Sequence, residues 1–196
     1  MIVLDKIQKD HEKKKMKKRQ EEILNGIMLG DGYAEKRGDK TRIRIRQSLS
    51  KERYVTYLFN ELKNLTTGKL SKREGKDSCV YISTKSRAEY NVWREKYYIG
   101  KKRIKPEELE ERLTPLSMAI WIMDDGSMVR SNMMLNTQRY KEEDQLRVLK
   151  VLRDKWNIEG SLNKDRDKKR ILISAKSTRE ILIGIVEKEI HESMKY

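Results

Sequence analysis

An internal repeat restricts the fold of this chain more than any other feature of its sequence. Residues 81–86 (YISTKS) closely match residues 172–177 (LISAKS), and in both copies an apolar strand end is followed by a serine that can cap a helix. Upstream of each match, at a similar spacing, an Asp-Gly turn ends an apolar helical run, first at Asp31 and then at Asp125. The chain after its basic start is therefore predicted to be two copies of one supersecondary unit.

Hydrophobic periodicity assigns the same elements to both copies, in the order strand, helix, strand, strand. Helices are predicted at 52–65 and 142–156, strand pairs at 68–72 with 78–83 and at 160–163 with 170–174, and closing amphipathic segments at 87–99 and 178–190. We expect an α+β fold with a basic N-terminal extension at 1–20, a first repeat at 21–105 and a second repeat at 106–196. The joint falls where Pro106 opens a strongly acidic segment.

The charge balance limits the classes of partner. The 196 residues include 46 Lys or Arg and 31 Asp or Glu, which gives a formal net charge of +15. Such an excess favours a polyanion, with nucleic acid well ahead of an anionic membrane surface. No stretch approaches the roughly 18 apolar residues of a membrane span, and the start lacks the apolar core of a signal peptide. We therefore expect an intracellular protein of the bacterial cytoplasm or an organelle matrix, with no membrane partner.

Cysteine and histidine are too scarce for several kinds of site. Cys79 is the one cysteine in the sequence, so an internal disulfide and a zinc cluster are excluded. His11 and His191 are the two histidines, which leaves zinc-protease and His-triad chemistry without their parts.

Strict alternation of basic and apolar residues marks one strand in the first copy. In residues 41–49 (TRIRIRQSL), a period of two puts Ile43 and Ile45 on one face and Arg42, Arg44 and Arg46 on the other. Any half-exposed strand shows polar residues outward, but three arginines on one face repel each other. The pattern favours contact with DNA phosphates or base edges.

The helical runs before the two acidic turns are suited to pack against each other. Gly26 and Gly30 leave a bare stripe on the first run, and glycine inside a helix costs roughly 1 kcal/mol relative to alanine, so a packing reason is expected. The matching run of the second copy offers Ser117 and Ala119 as partners. Side-by-side packing would bring the two Asp-Gly turns together.

Two carboxylates at neighbouring helix C-termini are electrostatically unfavourable without a cation. Asp31 and Asp125 would repel each other and face the negative ends of two helix dipoles. Paired carboxylates without His or Cys are hard oxygen ligands that suit Mg²⁺, which can support displacement at phosphorus. A single Asp-Gly is an ordinary turn, but two at matched positions in a basic protein favour a metal-dependent nuclease.

Both acidic segments resemble a known motif. Residues 24–32 (LNGIMLGDG) and 118–126 (MAIWIMDDG) resemble the LAGLIDADG motif. The longer run at 113–126 (LTPLSMAIWIMDDG), followed by 135–138 (LNTQ), is similar to the omega-intron branch of the LAGLIDADG homing endonucleases. The chain thus resembles the single-chain, two-motif members of that family, which are encoded in group I introns.

The resemblance implies a fold, an activity and a metal site. Two pseudo-symmetric αββαββα repeats in one monomer would form a saddle of two sheets over the DNA major groove. Asp31 and Asp125, the last acidic residues of the motifs, would bind Mg²⁺, or another divalent cation such as Mn²⁺, and cut one strand each to leave short 3′ overhangs. Gly30 and Asp124 complete the predicted metal site, although hydrogen bonding within the interface is favoured for Asp124 over direct ligation.

The resemblance also implies which strands contact DNA. In the first copy the base-reading face is expected to carry Arg42, Arg44, Arg46 and Gln47. In the second copy the equivalent strand is expected to carry Arg130, Asn132, Asn136 and Gln138. Arginine suits bidentate contacts to guanine, and asparagine and glutamine suit those to adenine.

The chain departs from the family pattern at two points. The family places a basic residue near each metal site, and Lys102 stands at the matching distance before Asp125. The second copy ends at residues 194–196 (MKY), one residue short of the family's Met-x-Tyr-Lys, so either Lys195 substitutes or cleavage of one strand is weak. Ile120 stands where a small residue is usual, which predicts a less close helix interface at that point.

Three functions are compatible with these residues. The first is a site-specific DNA endonuclease of the intron-homing type. The second is an intron RNA maturase, with host intron RNA as the partner and cleavage weak, nicking-only or lost. The third is a DNA-binding regulator without catalysis. The acidic pair favours the endonuclease, because nucleic-acid binding alone does not need two repelling carboxylates.

Overall fold

Two antiparallel four-stranded sheets and the helices around them form the described part of the molecule, which in this computed structural model comprises residues 16–99, 101–102 and 106–194. The elements of the first half are α1 (Lys18–Leu29), β1 (Tyr33–Arg37), β2 (Lys40–Ser48), α2 (Glu52–Glu61), β3 (Ser71–Arg73), β4 (Cys79–Ser83), α3 (Asn91–Tyr97), β5 (Tyr98–Ile99) and β6 (Lys101–Lys102). Those of the second half are α4 (Pro106–Arg112), α5 (Pro115–Asp125), β7 (Gly126–Val129), β8 (Asn132–Leu135), α6 (Glu142–Trp156), β9 (Gly160–Asp165), β10 (Lys168–Ile173) and α7 (Ala175–Arg179).

The two halves share one topology. The first sheet has the strand order β1-β2-β4-β3, and the second has the equivalent order β7-β8-β10-β9. Each sheet is preceded by a long helix, carries one helix between its two hairpins and is followed by another, which gives αββαββα twice. The predicted α+β class is confirmed. The domain limits at 1–20, 21–105 and 106–196 stay a prediction, and residues 1–15 lie outside the described part.

Local sequence explains where the second motif helix begins. Thr114 is the N-cap of α5, and its hydroxyl accepts a hydrogen bond from the Ser117 N–H at 3.2 Å. The Ser117 hydroxyl accepts in return from the Thr114 N–H at 2.7 Å, which completes a capping box. Pro115 occupies the first helical position, where its missing N–H costs nothing. The helix start is thus fixed by three residues of the motif segment.

Several predicted elements differ in extent. The helix predicted at 52–65 ends at Glu61. Leu62 and Leu65 extend the apolar pattern beyond it, but they are buried from the turn that follows the helix. The segment predicted at 178–190 is α-helical only to Arg179 and continues as a π-helix over Glu180–Ile185. The acidic segment that Pro106 opens forms the short helix α4. Within the described ranges, no helix is long and apolar enough to cross a lipid bilayer.

The two motif helices, α1 and α5, approach each other very closely. A Cβ added to Gly26 would lie 2.5 Å from the Ser117 carbonyl oxygen and 2.6 Å from Ile120 Cβ. A Cβ added to Gly30 would lie 2.4 Å from Asp124 Cβ. The predicted packing of the glycine stripe is therefore confirmed. The expected looseness at Ile120 is wrong, because Gly26 stands opposite and makes room for the larger side chain.

Replacing Gly26 by alanine is expected to destabilise the protein by about 1–3 kcal/mol, the usual cost of overpacking a filled core. The two helices would have to separate to admit the methyl group. Gly184→Ala is the matched control, because nothing lies within 4 Å of its added Cβ. Urea unfolding followed by circular dichroism measures both variants, and equal stability of the two would contradict the close approach.

Candidate metal and nucleic-acid site

The packed helices bring the two predicted metal ligands together. Asp31 directly follows the end of α1 and its glycine, and Asp125 is the last residue of α5. One nitrogen, Nη2 of Arg139, lies 2.9 Å from Asp31 Oδ1 and 3.4 and 3.5 Å from the two Asp125 carboxylate oxygens. Three oxygens from two repeats therefore converge on one point, close enough to share a cation.

The donor set at this point fits Mg²⁺. Among the residues that the structure describes, no group of three or more His, Cys, Asp or Glu side chains is arranged to hold a metal by itself. Mg²⁺ needs fewer protein ligands, since it uses one or two carboxylates and completes its octahedron with water and phosphate oxygens. Asp125 is 6% exposed and Asp31 33%, so a phosphate can reach the site from the Asp31 side.

Asp124 lies within the helix interface and is held by hydrogen bonds. Its Oδ1 accepts from the Tyr54 hydroxyl at 2.9 Å and from Gln47 Nε2 at 3.2 Å. Its Oδ2 accepts from the Asp31 N–H at 3.2 Å. Burial, reinforced by the negative charge of Asp31, raises the pKa of Asp124 to about 7. These contacts fit the interface role that was favoured for Asp124.

Gln47 does not lie on the outward face of β2, where it was predicted. Its side chain is buried, and Nε2 donates to Asp31 Oδ2 at 3.0 Å as well as to Asp124. The physical reason is the alternation itself, because Gln47 has the same parity as the buried Ile43 and Ile45. Gln47 therefore connects the carboxyl groups of the two repeats.

Side chains from the opposite repeat cap both motif helices. The Lys51 ammonium group, at the start of α2, donates to the carbonyl oxygens of Met123 and Asp124 at 2.8 and 3.0 Å. The Tyr140 hydroxyl, in the segment before α6, donates to the Leu29 carbonyl oxygen at the end of α1. Terminal helix carbonyls lack intrahelical partners, and a cation there also offsets the helix dipole.

The remaining predicted residues of the metal site are only partly described. Lys102 belongs to β6, which pairs with β5, but its side chain lies outside the described part, as does all of Lys195. Gly30 directly precedes Asp31 and is needed for the close approach of the helices. Roles for these three residues in metal binding or catalysis stay predictions.

The three arginines of β2 lie on the outer face of the first sheet, as the alternation predicts. Ile43 and Ile45 are buried, whereas Arg42 and Arg44 are half-buried and Arg46 is exposed. Contact of these arginines with DNA stays a prediction.

Glu35 stands among these arginines. It is paired directly opposite Arg42, whose Nε donates to Glu35 Oε2 at 2.7 Å, and its oxygens lie 3.1 Å from Arg37 and 3.6 Å from Arg44. The hydrogen bond from Arg42 lowers the pKa of Glu35. The Glu35 carboxylate thus pairs with three arginines on the outer face, most closely with Arg42.

The equivalent region of the second repeat differs from the prediction. Arg130 does not lie on the strand. It lies in the tight turn between β7 and β8, where it has a left-handed φ of 58°. No glycine or proline marks this turn in the sequence, so the sequence predicted one continuous strand through Arg130 and Asn132. Asn132 is half-buried at the start of β8, which ends at Leu135.

Asn136 and Gln138 follow β8 and already have partners within the protein. The Asn136 side chain donates to the Asp125 carbonyl oxygen at 2.9 Å and accepts from Arg170 at 3.2 Å. The Gln138 side chain donates to Asp165 at 2.7 Å. Asn136 therefore helps to hold Asp125 in place. Arg170, on β10, is a further cation on the outer face of the second sheet.

Gln47 was predicted as a site residue but with the wrong orientation. The site residues that were not predicted are Lys51, Tyr54, Arg139 and Tyr140. The inward role of Gln47 follows from its parity in β2. Lys51 and Arg139 each precede a helix, and nothing in their local sequence separates them from other solvated basic residues. They are recognisable only when the fold brings Lys51 to the carbonyl oxygens at the end of α5 and Arg139 to Asp31 and Asp125.

Sequence comparison now identifies the family. The family model described as the LAGLIDADG DNA endonuclease family matches residues 21–181. The chain belongs to this family. The cytochrome b mRNA maturase bI2 of Saccharomyces cerevisiae is 33% identical over 193 residues, covering 89% of this chain but 46% of the relative, so the chain spans about half the length of that protein. The probable intron-encoded endonuclease 1 of Wickerhamomyces canadensis is 27% identical, covering 97% of this chain and 89% of the relative.

Solved structures of LAGLIDADG proteins have the same fold. The homing endonuclease I-WcaI, bound to its DNA recognition sequence, matches with a TM-score of 0.83 at 24% identity and covers 96% of this chain and 90% of that chain. I-DmoI in complex with DNA and Ca matches with a TM-score of 0.55 at 16% identity, covering 85% and 88%. These likenesses confirm the predicted two-repeat LAGLIDADG architecture.

The Tyr54→Phe variant is expected to lose about 1.5–3 kcal/mol of stability at pH 8, where Asp124 is ionised and the deleted hydrogen bond is charge-assisted. At pH 5 the loss should be smaller, because a carboxyl group with a pKa of about 7 is then protonated. The Tyr54 hydroxyl lowers the pKa of Asp124, which means that it stabilises the ionised carboxylate. Removing the hydroxyl therefore lowers the free energy of unfolding most at high pH, where Asp124 is ionised.

Chemical denaturation of the metal-free protein at both pH values measures this difference. Tyr81→Phe, on the outer face of β4, deletes the same group away from the carboxylates and should cost under about 0.5 kcal/mol. A Tyr54→Phe loss that is the same at pH 5 and pH 8 would show that the hydroxyl does not act on Asp124.

Proposed function

We propose that this LAGLIDADG protein is a site-specific, metal-dependent DNA endonuclease of the intron-homing type, which makes a double-strand break with short 3′ overhangs. The observation that carries the proposal is the convergence of Asp31 and Asp125, one from each repeat, on a single point. Two carboxylates held this close cost free energy unless a cation binds them. The similarity to I-WcaI and to the endonuclease of W. canadensis supports the same activity.

Asp31 and Asp125 would hold the metal, with Mg²⁺ as the expected ion. A bound divalent cation supplies activation of water and stabilisation of the leaving oxygen at phosphorus. The protein contributes position: Gln47 fixes the Asp31 carboxylate against Asp124, and Lys51 fixes the end of α5. The complex of I-DmoI with DNA and Ca supports a divalent cation, although the ion used by this chain is a proposal.

The basic surface would bind double-stranded DNA. Arg42, Arg44 and Arg46 on the first sheet would contact phosphates and guanine edges, and Arg130 and Asn132 of the second repeat would extend the contact. Both repeats lie in one chain, so a monomer with internal pseudo-two-fold symmetry would cover a long target. Lys102 and Lys195 remain the proposed basic residues near the metal, and the bacterial cytoplasm or an organelle matrix remains the proposed compartment.

A second function is favoured by one comparison. The S. cerevisiae relative is named as a maturase of cytochrome b mRNA and is 33% identical. A basic surface that binds a duplex can also bind folded RNA through phosphate and 2′-hydroxyl contacts. Intron RNA is therefore the alternative partner, with cleavage secondary or lost.

Cleavage of a plasmid that carries the intron-less form of the host gene tests the proposal. With Mg²⁺ the wild-type protein should produce one double-strand cut, and Asp31→Asn or Asp125→Asn should reduce its rate by about 10²-fold or more, because each removes a charged oxygen at the reacting site. Asp154→Asn, on the exposed side of α6, is the matched control and should cut normally. No cut by the wild-type protein, together with tight binding of the intron RNA, would favour the maturase.

DNA binding by the β2 arginines is tested by a pair of variants with opposite effects. Arg44→Ala should weaken binding of the target and reduce the slope of log K against log salt by about 1. Glu35→Gln should raise the affinity for duplexes of arbitrary sequence, because it frees the arginines from their carboxylate partner. Fluorescence anisotropy at several salt concentrations measures both, and two variants with unchanged slopes would remove this strand from the interface.

A further inference from the structure

Resting on the proposed function, we propose that Arg139 is a built-in counter-cation of the catalytic carboxylates, which divalent metal must displace before it binds. Its guanidinium lies against Asp31 of the first repeat and Asp125 of the second repeat at the same time. Arg139 would therefore lower the metal affinity of the DNA-free protein and keep the two carboxylates in position until metal and DNA arrive.

The geometry makes the two cations mutually exclusive. Arg139 Nη2 lies 2.9 Å from Asp31 Oδ1 and within 3.5 Å of both Asp125 oxygens. Mg²⁺ binds carboxylate oxygens at about 2.0–2.1 Å and brings its own waters, so it would occupy the same space as the guanidinium. A guanidinium is not deprotonated in proteins at accessible pH, and Asp31 and Asp125 lie against this one. The arginine thus stays charged while it holds the site.

The backbone around Arg139 is anchored, whereas its side chain has room to leave. Tyr140 is buried, and its N–H donates to the Thr137 carbonyl oxygen at 2.9 Å. Thr137 is fully buried and donates to the Gln145 side chain at 3.0 Å. The Arg139 side chain itself is 38% exposed. The guanidinium can therefore turn toward solvent, or toward a DNA phosphate, without unfolding the segment that carries it.

The other repeat shows that the fold does not require an arginine here. Lys51 and Lys141 are the N-caps of the equivalent helices α2 and α6, and counting back from them pairs Leu49 with Arg139. Leu49 packs against the core instead of reaching the carboxylates. Equivalent positions thus hold the apolar Leu49 in the first repeat and Arg139 in the second. The fold can form without an arginine at this position, which points to a role for Arg139 in the site.

Calorimetric titration of Mg²⁺ into the DNA-free chain of 196 residues tests the proposal without relying on cleavage. Arg139→Met keeps the aliphatic stem but removes the charge, and it should bind Mg²⁺ about tenfold tighter than the wild type, within the usual range of coupling between two ligands. In EDTA its Tm should fall, because the carboxylates then repel each other, and Mg²⁺ should raise the Tm by more than it does for the wild type. Lys141→Met is the matched control, since Lys141 lies two residues away, pairs with Glu143 at 3.7 Å and should leave the Mg²⁺ affinity unchanged.

Two further variants make the result decisive. Adding Asp31→Asn to Arg139→Met should abolish the gain in affinity, which assigns the titrated ion to this site. If Arg139→Met does not fold, Arg139→Gln also removes the charge but keeps a polar, hydrogen-bonding side chain, and it should still bind Mg²⁺ more tightly than the wild type. Mg²⁺ affinity that is equal to or weaker than wild type in the folded Arg139 variants would overturn the proposal. A protein that shows the gain but never cuts DNA would overturn the endonuclease function alone.

Discussion

The close contact between α1 and α5 fixes the geometry of everything else in the site. No Cβ can be added at Gly26 or Gly30 without a clash, so the two helix axes approach until the backbone of one meets the side chains of the other. That approach places Asp31 beside Asp124 and Asp125 at the negative ends of two helix dipoles. The repulsion between these carboxylates and the helix dipoles is unfavourable by itself, and hydrogen bonds from surrounding side chains offset it.

Each repeat provides side chains that stabilise the acidic helix end of the other repeat. The first repeat gives Lys51, Gln47 and Tyr54 to the acidic end of α5, and the second gives Arg139 and Tyr140 to the end of α1 and Asp31. Neither repeat completes the site by itself. The repeats share a topology but not these contacts. A lysine, Lys51, donates to the last carbonyl oxygens of α5, whereas a tyrosine, Tyr140, donates to that of α1. This asymmetry fits a single-chain protein whose two halves have distinct sequences and would meet different halves of a DNA target.

The sequence was sufficient for the architecture and for the central pair. Repeated segments, hydrophobic periodicity and the glycine stripe led to two copies of one unit with Asp31 and Asp125 together, because these features depend on local pattern and on symmetry. The αββαββα order of each unit was implied by the resemblance to the LAGLIDADG family. The sequence was insufficient where contacts depend on chain geometry. Arg130 was placed on a strand because no glycine marks its turn, and Gln47 was assigned outward against its own parity. Lys51 and Arg139 became visible only through contacts between residues far apart in the chain.

Manganese anomalous diffraction from crystals of the protein bound to its mapped DNA target tests the central claim most directly. The account predicts anomalous peaks at bonding distance from Asp31 and Asp125, next to the phosphates that are cut, with the Arg139 guanidinium moved off the carboxylates. Peaks that lack contact with both aspartates, or DNA bound away from the arginines of β2, would contradict it.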